Sequence, residues 1–382
     1  MQDVDDPVRA ALIALARFDP AIDGEIRASL ARLTTGQWSV VFQLASAHRV
    51  LANLSRIVAA DDTAPGLSRA FARRQLLFAK RQAGIRRYES EKALALLEGE
   101  GVAAVALKGH VLGTECYPEY YLREAGDLDL LVDESDLEVV AEALTSAGFA
   151  QRQLSPSTWE SAPLSAARLR GYRSELQHLG EFLLERPDGA HLVIDVHHRL
   201  ATAFDHIQPD HRALLTRRQT AGAYQRFHPA DFVAHLGYHA WWDTQSVVNV
   251  RSGLDLRLFQ FGDVLRAFQT WDLHCDGVLA AGRDASIEAP TNWVLWVTGE
   301  LFGPLPGYGS VDIDAAESLD RQLADRWLQR STAEPLGTWD ETTPTRMFDP
   351  RRGDRASAMV LGWLDSHTKR GDVLRWDRRD EM

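Results

Sequence analysis

Apolar residues recur at steps of three and four from Pro7 to about Ala60, in Leu12, Leu15, Leu30 and Leu33 and then Val41, Leu44, Val50, Leu51, Leu54 and Ile57. That spacing predicts an α-helical opening. The turn-forming run Asp61-Asp62-Thr63-Ala64-Pro65-Gly66 interrupts it, and one long helix is predicted from Leu67 to about Gly99. On that helix Arg73, Lys80 and Arg87 stand seven apart with Arg74 and Arg81 beside them, so they share a flank. Such a flank reads first as a solvated charged face, and second as a surface turned towards a triphosphate.

After Gly99 the texture changes. Val102 to Leu107 is short and apolar like a buried strand, ended by Lys108-Gly109, and an amphipathic segment runs towards Tyr121. Asp127 to Val132 predicts a second strand and Asp136 to Ala147 a helix stopped by Gly148. Gln151 to Tyr172, with Ser155-Pro156-Ser157-Thr158 and Ala162-Pro163, predicts an insertion or mobile connection. Two further strands, Glu181 to Glu185 and His191 to His197, flank Arg186-Pro187-Asp188-Gly189-Ala190, which has hairpin chemistry. Helical periodicity returns from Pro229, through Leu236, Trp241, Leu258, Phe261 and Phe268, and again from Trp293 to Leu301. The expected organisation is a helical region over 1–99, an α/β centre over 100–220 and a second helical region over 221–382, ending in a charged tail from Lys369 to Met382.

Composition narrows the function classes. The 382 residues carry 42 Lys plus Arg against 54 Asp plus Glu, a net charge of −12. That field repels nucleic-acid backbones, so non-specific nucleic-acid binding is not expected. Cys116 and Cys275 are far apart and outside any metal-knot spacing, which predicts two buried thiols in a reducing cytoplasm. The start, Met1 to Asp6, is acidic where a signal peptide would be basic, and no apolar run reaches the roughly 18 residues that cross a bilayer. A cytoplasmic protein without membrane contact is the expectation.

The sharpest chemistry lies in Gly126-Asp127-Leu128-Asp129-Leu130-Leu131-Val132. Period-two alternation points Asp127 and Asp129 to one face and Leu128 and Leu130 to the other. Two like charges side by side call for a counterion, and a hard cation such as Mg²⁺ binds through few carboxylates plus substrate phosphates. In His191 to His198, Asp195 and His197 share a polar face opposite Ile194 and Val196. Three carboxylates on neighbouring strands suit two metal ions and nucleotidyl-transfer chemistry. Lys108 and Gly109 stand where a strand gives way to a helix, so backbone N–H groups and a lysine charge would face an anion there. The Walker pattern is absent, which disfavours a P-loop kinase.

Leu107-Lys108-Gly109, Tyr117-Pro118, Arg123, Gly126 to Val132 and Ile194-Asp195-Val196-His197 together resemble the uncharacterised nucleotidyltransferase family of the polymerase-β superfamily, over about residues 30 to 305. The resemblance implies an α+β fold, a polymerase-β-like nucleotidyltransferase core of a small mixed sheet with helices, flanked by N- and C-terminal helical regions. It implies metal ligation by Asp127, Asp129 and Asp195, and phosphate contact near Lys108 and Gly109. Arg123 matches a basic position with a phosphate or structural role, and His197 is expected to orient a ligand or the acceptor. The chain departs from many superfamily members in having Gly109-His110 where they have Gly-Ser, and Asp127 stands eighteen positions after Gly109. Members acting on small molecules or peptides exist, some beside peptide natural-product biosynthesis.

The expected activity is therefore transfer of a nucleoside monophosphate from an NTP, with ATP the expected nucleotide and two Mg²⁺ ions as cofactors, to a hydroxyl or phosphate of a small molecule or peptide. The alternative is a non-catalytic nucleotide-binding or partner-binding module of the same fold. A third is a zinc hydrolase built on His197, His198, His235 and His239. Asp231, His235, His239 and Asp243 step by four along a predicted helix and form one polar stripe that could line the acceptor side of the cleft. Tryptophans such as Trp241, Trp242, Trp293 and Trp296 read as core.

Overall fold

Thr34 opens one of the first helices with a reciprocal cap: its hydroxyl accepts from Gln37 N, and Gln37 Oε1 accepts from Thr34 N. The helix is α3 (Thr35–Ala47); α1 (Asp6–Leu15) and α2 (Asp23–Leu30) precede it, and α4 (Leu51–Ala59) and the 34-residue α5 (Gly66–Gly99) follow. The computed structural model describes residues 6–154, 161–187, 190–203, 205–325 and 335–369. The acidic start, residues 1–5, and the charged tail from residue 370 lie outside the described residues. On α5 the side chains of Arg73, Arg74, Lys80, Arg81 and Arg87 are exposed, while Ala72, Ala93, Leu94 and Leu97 are buried. The basic flank is thus a solvated face.

The centre is a mixed sheet. In chain order its elements are β1 (Val105–Ala106), α6 (Lys108–Glu115), β2 (Asp127–Leu131), α7 (Leu137–Ser146), β3 (Ala150–Leu154), β4 (Ser161–Pro163), α8 (Ala166–Gly171), β5 (His178–Glu185), β6 (His191–His197), α9 (His211–Thr216), β7 (Gln219–Ala221) and β8 (Tyr224–Arg226). The strands lie in the order β4-β3-β5-β6-β2-β1-β8-β7. β2 runs parallel to β6, and β1 parallel to β8; the other pairs are antiparallel.

Two regions differ from expectation. The segment expected as an insertion supplies the edge strand β4, most of its neighbour β3 and the helix α8, with residues 155–160 outside the described residues. At the other edge, β7 and β8 form a hairpin that period-two hydrophobicity does not mark, because Gln219, Thr220, Gln225 and Arg226 leave it polar on both faces. In the β5–β6 turn, residues 188 and 189 lie outside the described residues.

Helices α10 (Pro229–Thr244), α11 (Val247–Ser252), α12 (Leu258–Trp271), α13 (Cys275–Asp284), α14 (Glu288–Phe302), α15 (Ile313–Asp320), α16 (Thr343–Arg346) and α17 (Arg352–Lys369) complete the chain. α10 packs on α12, α13 and α14. Gly237 permits this, since a Cβ there would stand 2.6 Å from Val294 Cγ1. Trp241, Trp293 and Trp296 are buried core residues, and a single apolar cluster runs from Val8 to Phe348 through both the helices and the sheet. Both cysteines are buried free thiols, each pushed up to about 12 chiefly by burial. Among the described residues no helix is long and apolar enough to cross a membrane.

Candidate active site

Parallel pairing of β2 with β6 decides where the acids fall. Asp129 is the register partner of Asp195, and Leu128 and Leu130 are the partners of Ile194 and Val196. Those four apolar side chains are fully buried on one face, so the period of two turns Asp127, Asp129, Asp195 and His197 to the other. A ligand atom from each of Asp129, Asp195 and His197 falls within 4.8 Å of the other two. The third carboxylate therefore lies on the same side of the sheet as the first two.

Charge crowding is strong here. The Asp129 carboxylate raises the exposed Asp127 to about 6. Burial also penalises the charge of Asp129, yet Lys108 and His197 outweigh it and hold that carboxyl below the usual range. Asp195 is likewise held low against burial, by His197 and by a 2.7 Å hydrogen bond from His178 Nδ1. Burial opposes the charging of His197, but Asp195 and Asp129 raise it to about 9. Its Nε2 faces Asp195 Oδ2 at 3.3 Å and Asp129 Oδ1 at 3.6 Å without completing a hydrogen bond. His178 stacks on His197 at 5.4 Å between centroids.

Lys108 begins α6 with φ +45, a left-handed conformation uncommon for a side chain of this size. Its ammonium donates to Asp129 Oδ1 at 2.6 Å and to His239 Nε2 at 3.0 Å. Leu107, the cap of α6, makes no side-chain hydrogen bond to the first turn, which leaves the helix end open to an anion. Gly109 is required by packing: a Cβ would meet Ala125 Cβ at 2.8 Å. Arg123, just before β2, donates through Nε to Asp263 on α12 at 2.8 and 2.9 Å and through Nη1 to the Glu124 carbonyl at 2.7 Å. Tyr117 donates to the same Asp263 at 2.6 Å. These bonds give Arg123 a structural task, tying the acidic strand to α12.

The polar stripe of α10 divides. Asp231 pairs with Arg217 at 2.7 Å and takes no part in the site. His235 is buried with both ring nitrogens lacking a hydrogen bond, and burial followed by Lys108 pushes it down to about 3. His239 meets Lys108, and Asp243 accepts from Gln260 Nε2 at 2.9 Å. His198 points away, its Nε2 3.3 Å from the Arg173 carbonyl. Among the described residues His197, His198, His235 and His239 do not form a ligand cluster, so the zinc-hydrolase geometry is not present there.

Two cavities meet at the acids. One, of about 290 Å³, is lined by Asp195, His178, His197 and Trp242; the other, of about 190 Å³, by Gly109, Arg49 and Arg257. Asp127, Asp129, Lys108 and His239 line both. Periodicity did not single out Arg49, Arg257 or His178. Asp263 carried a signal that went unread, a lone acid among Phe259, Phe261, Val264 and Leu265. A divalent cation fits the donor set, because one ligand atom each of Asp129, Asp195 and His197 converges, and a cation there would replace the Nε2 proton that now faces the two carboxylates. Asp127, expected as a ligand, lies on the same face but outside this convergent group.

Carboxylates paired across a mixed sheet, beside an open helix terminus, make a site suited to phosphate chemistry. The family model described as uncharacterised nucleotidyltransferase matches residues 34–303, and the chain belongs to that family. The assignment agrees with the mixed sheet and its flanking helices and supports a nucleotidyl-transfer role. Neither a curated protein nor a solved structure matches the sequence.

Proposed function

We propose that the protein is a Mg²⁺-dependent enzyme that transfers a nucleoside monophosphate from an NTP, with ATP the favoured nucleotide, to a hydroxyl or phosphate of a small molecule or peptide. The observation that carries this reading is the in-register pairing of Asp129 with Asp195 on parallel strands, with Asp127 two residues away on the same face. Asp127, Asp129 and Asp195, with His197 beside them, would hold the cations. When bound, Mg²⁺ supplies charge stabilisation of the phosphates during displacement.

The chain's own groups do the rest. Lys108 and the first N–H groups of α6 bind phosphate oxygens. The acceptor oxygen attacks the α-phosphorus, an O–P bond forms, the bond to the β-phosphate oxygen breaks and pyrophosphate leaves. Asp195, held ionised by His197 and His178, accepts the hydrogen bond of the acceptor and takes its proton. His178 orients Asp195 through the 2.7 Å contact. The net charge of −12 fits a small or peptidic acceptor in the cytoplasm better than a nucleic acid.

The test is incubation with α-labelled ATP, Mg²⁺ and a low-molecular-mass cell extract, following both pyrophosphate and transfer of label. Asp129→Asn should lower turnover by about 100-fold, read at a temperature where circular dichroism shows the variant folded, because loss of the Lys108 partner also lowers its stability. Tight NTP binding without pyrophosphate release would favour the non-catalytic alternative, and full activity in the variant would remove Asp129 from the mechanism.

A further inference from the structure

Two guanidinium groups reach the smaller cavity from parts of the chain far apart in sequence. Arg49 follows α3 with φ +53, and Arg257 immediately precedes α12. Both rest on the ring of Phe259, 5.2 and 5.3 Å from its centroid, beside Arg123 at 4.5 Å. Arg123 is neutralised by Asp263. Apart from the Phe259 ring, the guanidinium groups of Arg49 and Arg257 have no hydrogen-bond or ion-pair partner among the described residues, and Arg257 Nε is buried without one.

The neighbouring acids are engaged elsewhere. Glu124 accepts from Ala52 N at 2.9 Å, Asp255 pairs with Arg352 at 3.1 Å, and Asp243 accepts from Gln260. Burial and then Arg49 push Arg257 down to about 10, and burial and then Arg123 lower Arg49. Asp127, Glu124 and Asp243 favour the charge of Arg49, and Asp243 that of Arg257, but no carboxylate makes a hydrogen bond or ion pair with either guanidinium among the described residues; burial and mutual repulsion outweigh that support, and a bound anion offsets the cost.

The division of the two cavities says which anion. Arg49 and Arg257 line the cavity that also holds Gly109 at the start of α6, whereas Asp195, His178 and His197 line the other; Asp127 and Asp129 form the shared wall. Guanidinium forks match phosphate oxygens two at a time. Resting on the nucleotidyl-transfer reading above, we infer that Arg49 and Arg257 form a clamp for the triphosphate tail of the nucleotide, so that the acceptor enters from the Asp195 side.

Calorimetric titration of the full-length protein with inorganic tripolyphosphate in EDTA tests this without metal or turnover. Arg49→Gln and Arg257→Gln should each weaken binding at least tenfold, and ligand-free melting temperatures should stay the same or rise, since an uncompensated charge is removed. Wild-type affinity in both variants, no tripolyphosphate binding by the wild type, or loss of fold in both variants would overturn the clamp. Mg²⁺-dependent pyrophosphate release by the wild type, alongside unaffected tripolyphosphate binding in the variants, would overturn the clamp and leave the enzyme assignment standing. Weakened binding in the variants, with no release from any NTP by the wild type, would support the anion clamp and sink the transfer reaction.

Discussion

Lys108 Nζ lies 2.6 Å from Asp129 Oδ1, a buried contact between the first residue of α6 and the middle of β2. Lys108 is thereby placed both to meet phosphates and to neutralise the acid that pairs with Asp195. Removing one partner of such a pair leaves an uncompensated buried charge, at a cost of about 3–5 kcal/mol. Lys108→Met should lose stability on that scale in urea denaturation, and Lys108→Met combined with Asp129→Asn should recover most of it. Additive losses in the double variant would show that the two residues act independently.

Arg123 and Asp263 form a second buried pair, with side chains 7% and 2% exposed. Asp263→Ala strands the guanidinium and leaves Tyr117 without its acceptor, so about 3–5 kcal/mol of stability should be lost. Arg123→Met with Asp263→Leu should be far milder, because both charges go together. Guanidinium denaturation of the two variants reads this directly, and an Asp263→Ala protein as stable as wild type would contradict the tie.

Gly109→Ala puts a methyl group 2.8 Å from Ala125 Cβ. Overpacking of this kind costs about 1–3 kcal/mol, and the start of α6 and Ala125 must move apart. Nucleotide affinity and stability should both fall. Ala125→Gly removes the clashing atom and should restore nucleotide affinity in the double variant; failure of that rescue would place the effect elsewhere.

Burial holds His48 down to about 3 and His110 to about 4, against about 6.5 in an unfolded chain. Between these values each of these two imidazoles binds more protons in the unfolded chain than in the folded one, so the stability they contribute is full above about pH 6.5 and declines as the pH falls. Each histidine contributes at most about 1.4 kcal/mol per pH unit to that decline. Urea denaturation in steps from pH 7.5 to 5 should show it, and His110→Gln should have a shallower slope than wild type. Identical slopes would mean that His110 charges freely in the folded protein.

Alternation made the acids legible: Asp127, Asp129 and Asp195 stand out because leucine, isoleucine and valine occupy every other place in β2 and β6. The flanking helices were legible for the same reason, through steps of three and four. Arg49 and Arg257 were not, because each sits alone at the end of a helix and only tertiary packing brings both onto Phe259. The basic flank of α5 had the spacing expected of a phosphate surface, yet α5 buries its small and aliphatic stripe and turns those side chains to water. The β7–β8 hairpin escaped notice because short polar edge strands carry no hydrophobic period.

The parallel alignment of β2 and β6 also makes the site self-checking. Deleting or inserting one residue within either strand would thrust a carboxylate into the hydrocarbon layer now filled by Leu128, Leu130, Ile194 and Val196, and would carry an aliphatic side chain out into the cleft. A chain misaligned in this way would fail to fold before it could misreact, so folding itself proofreads the placement of the acids.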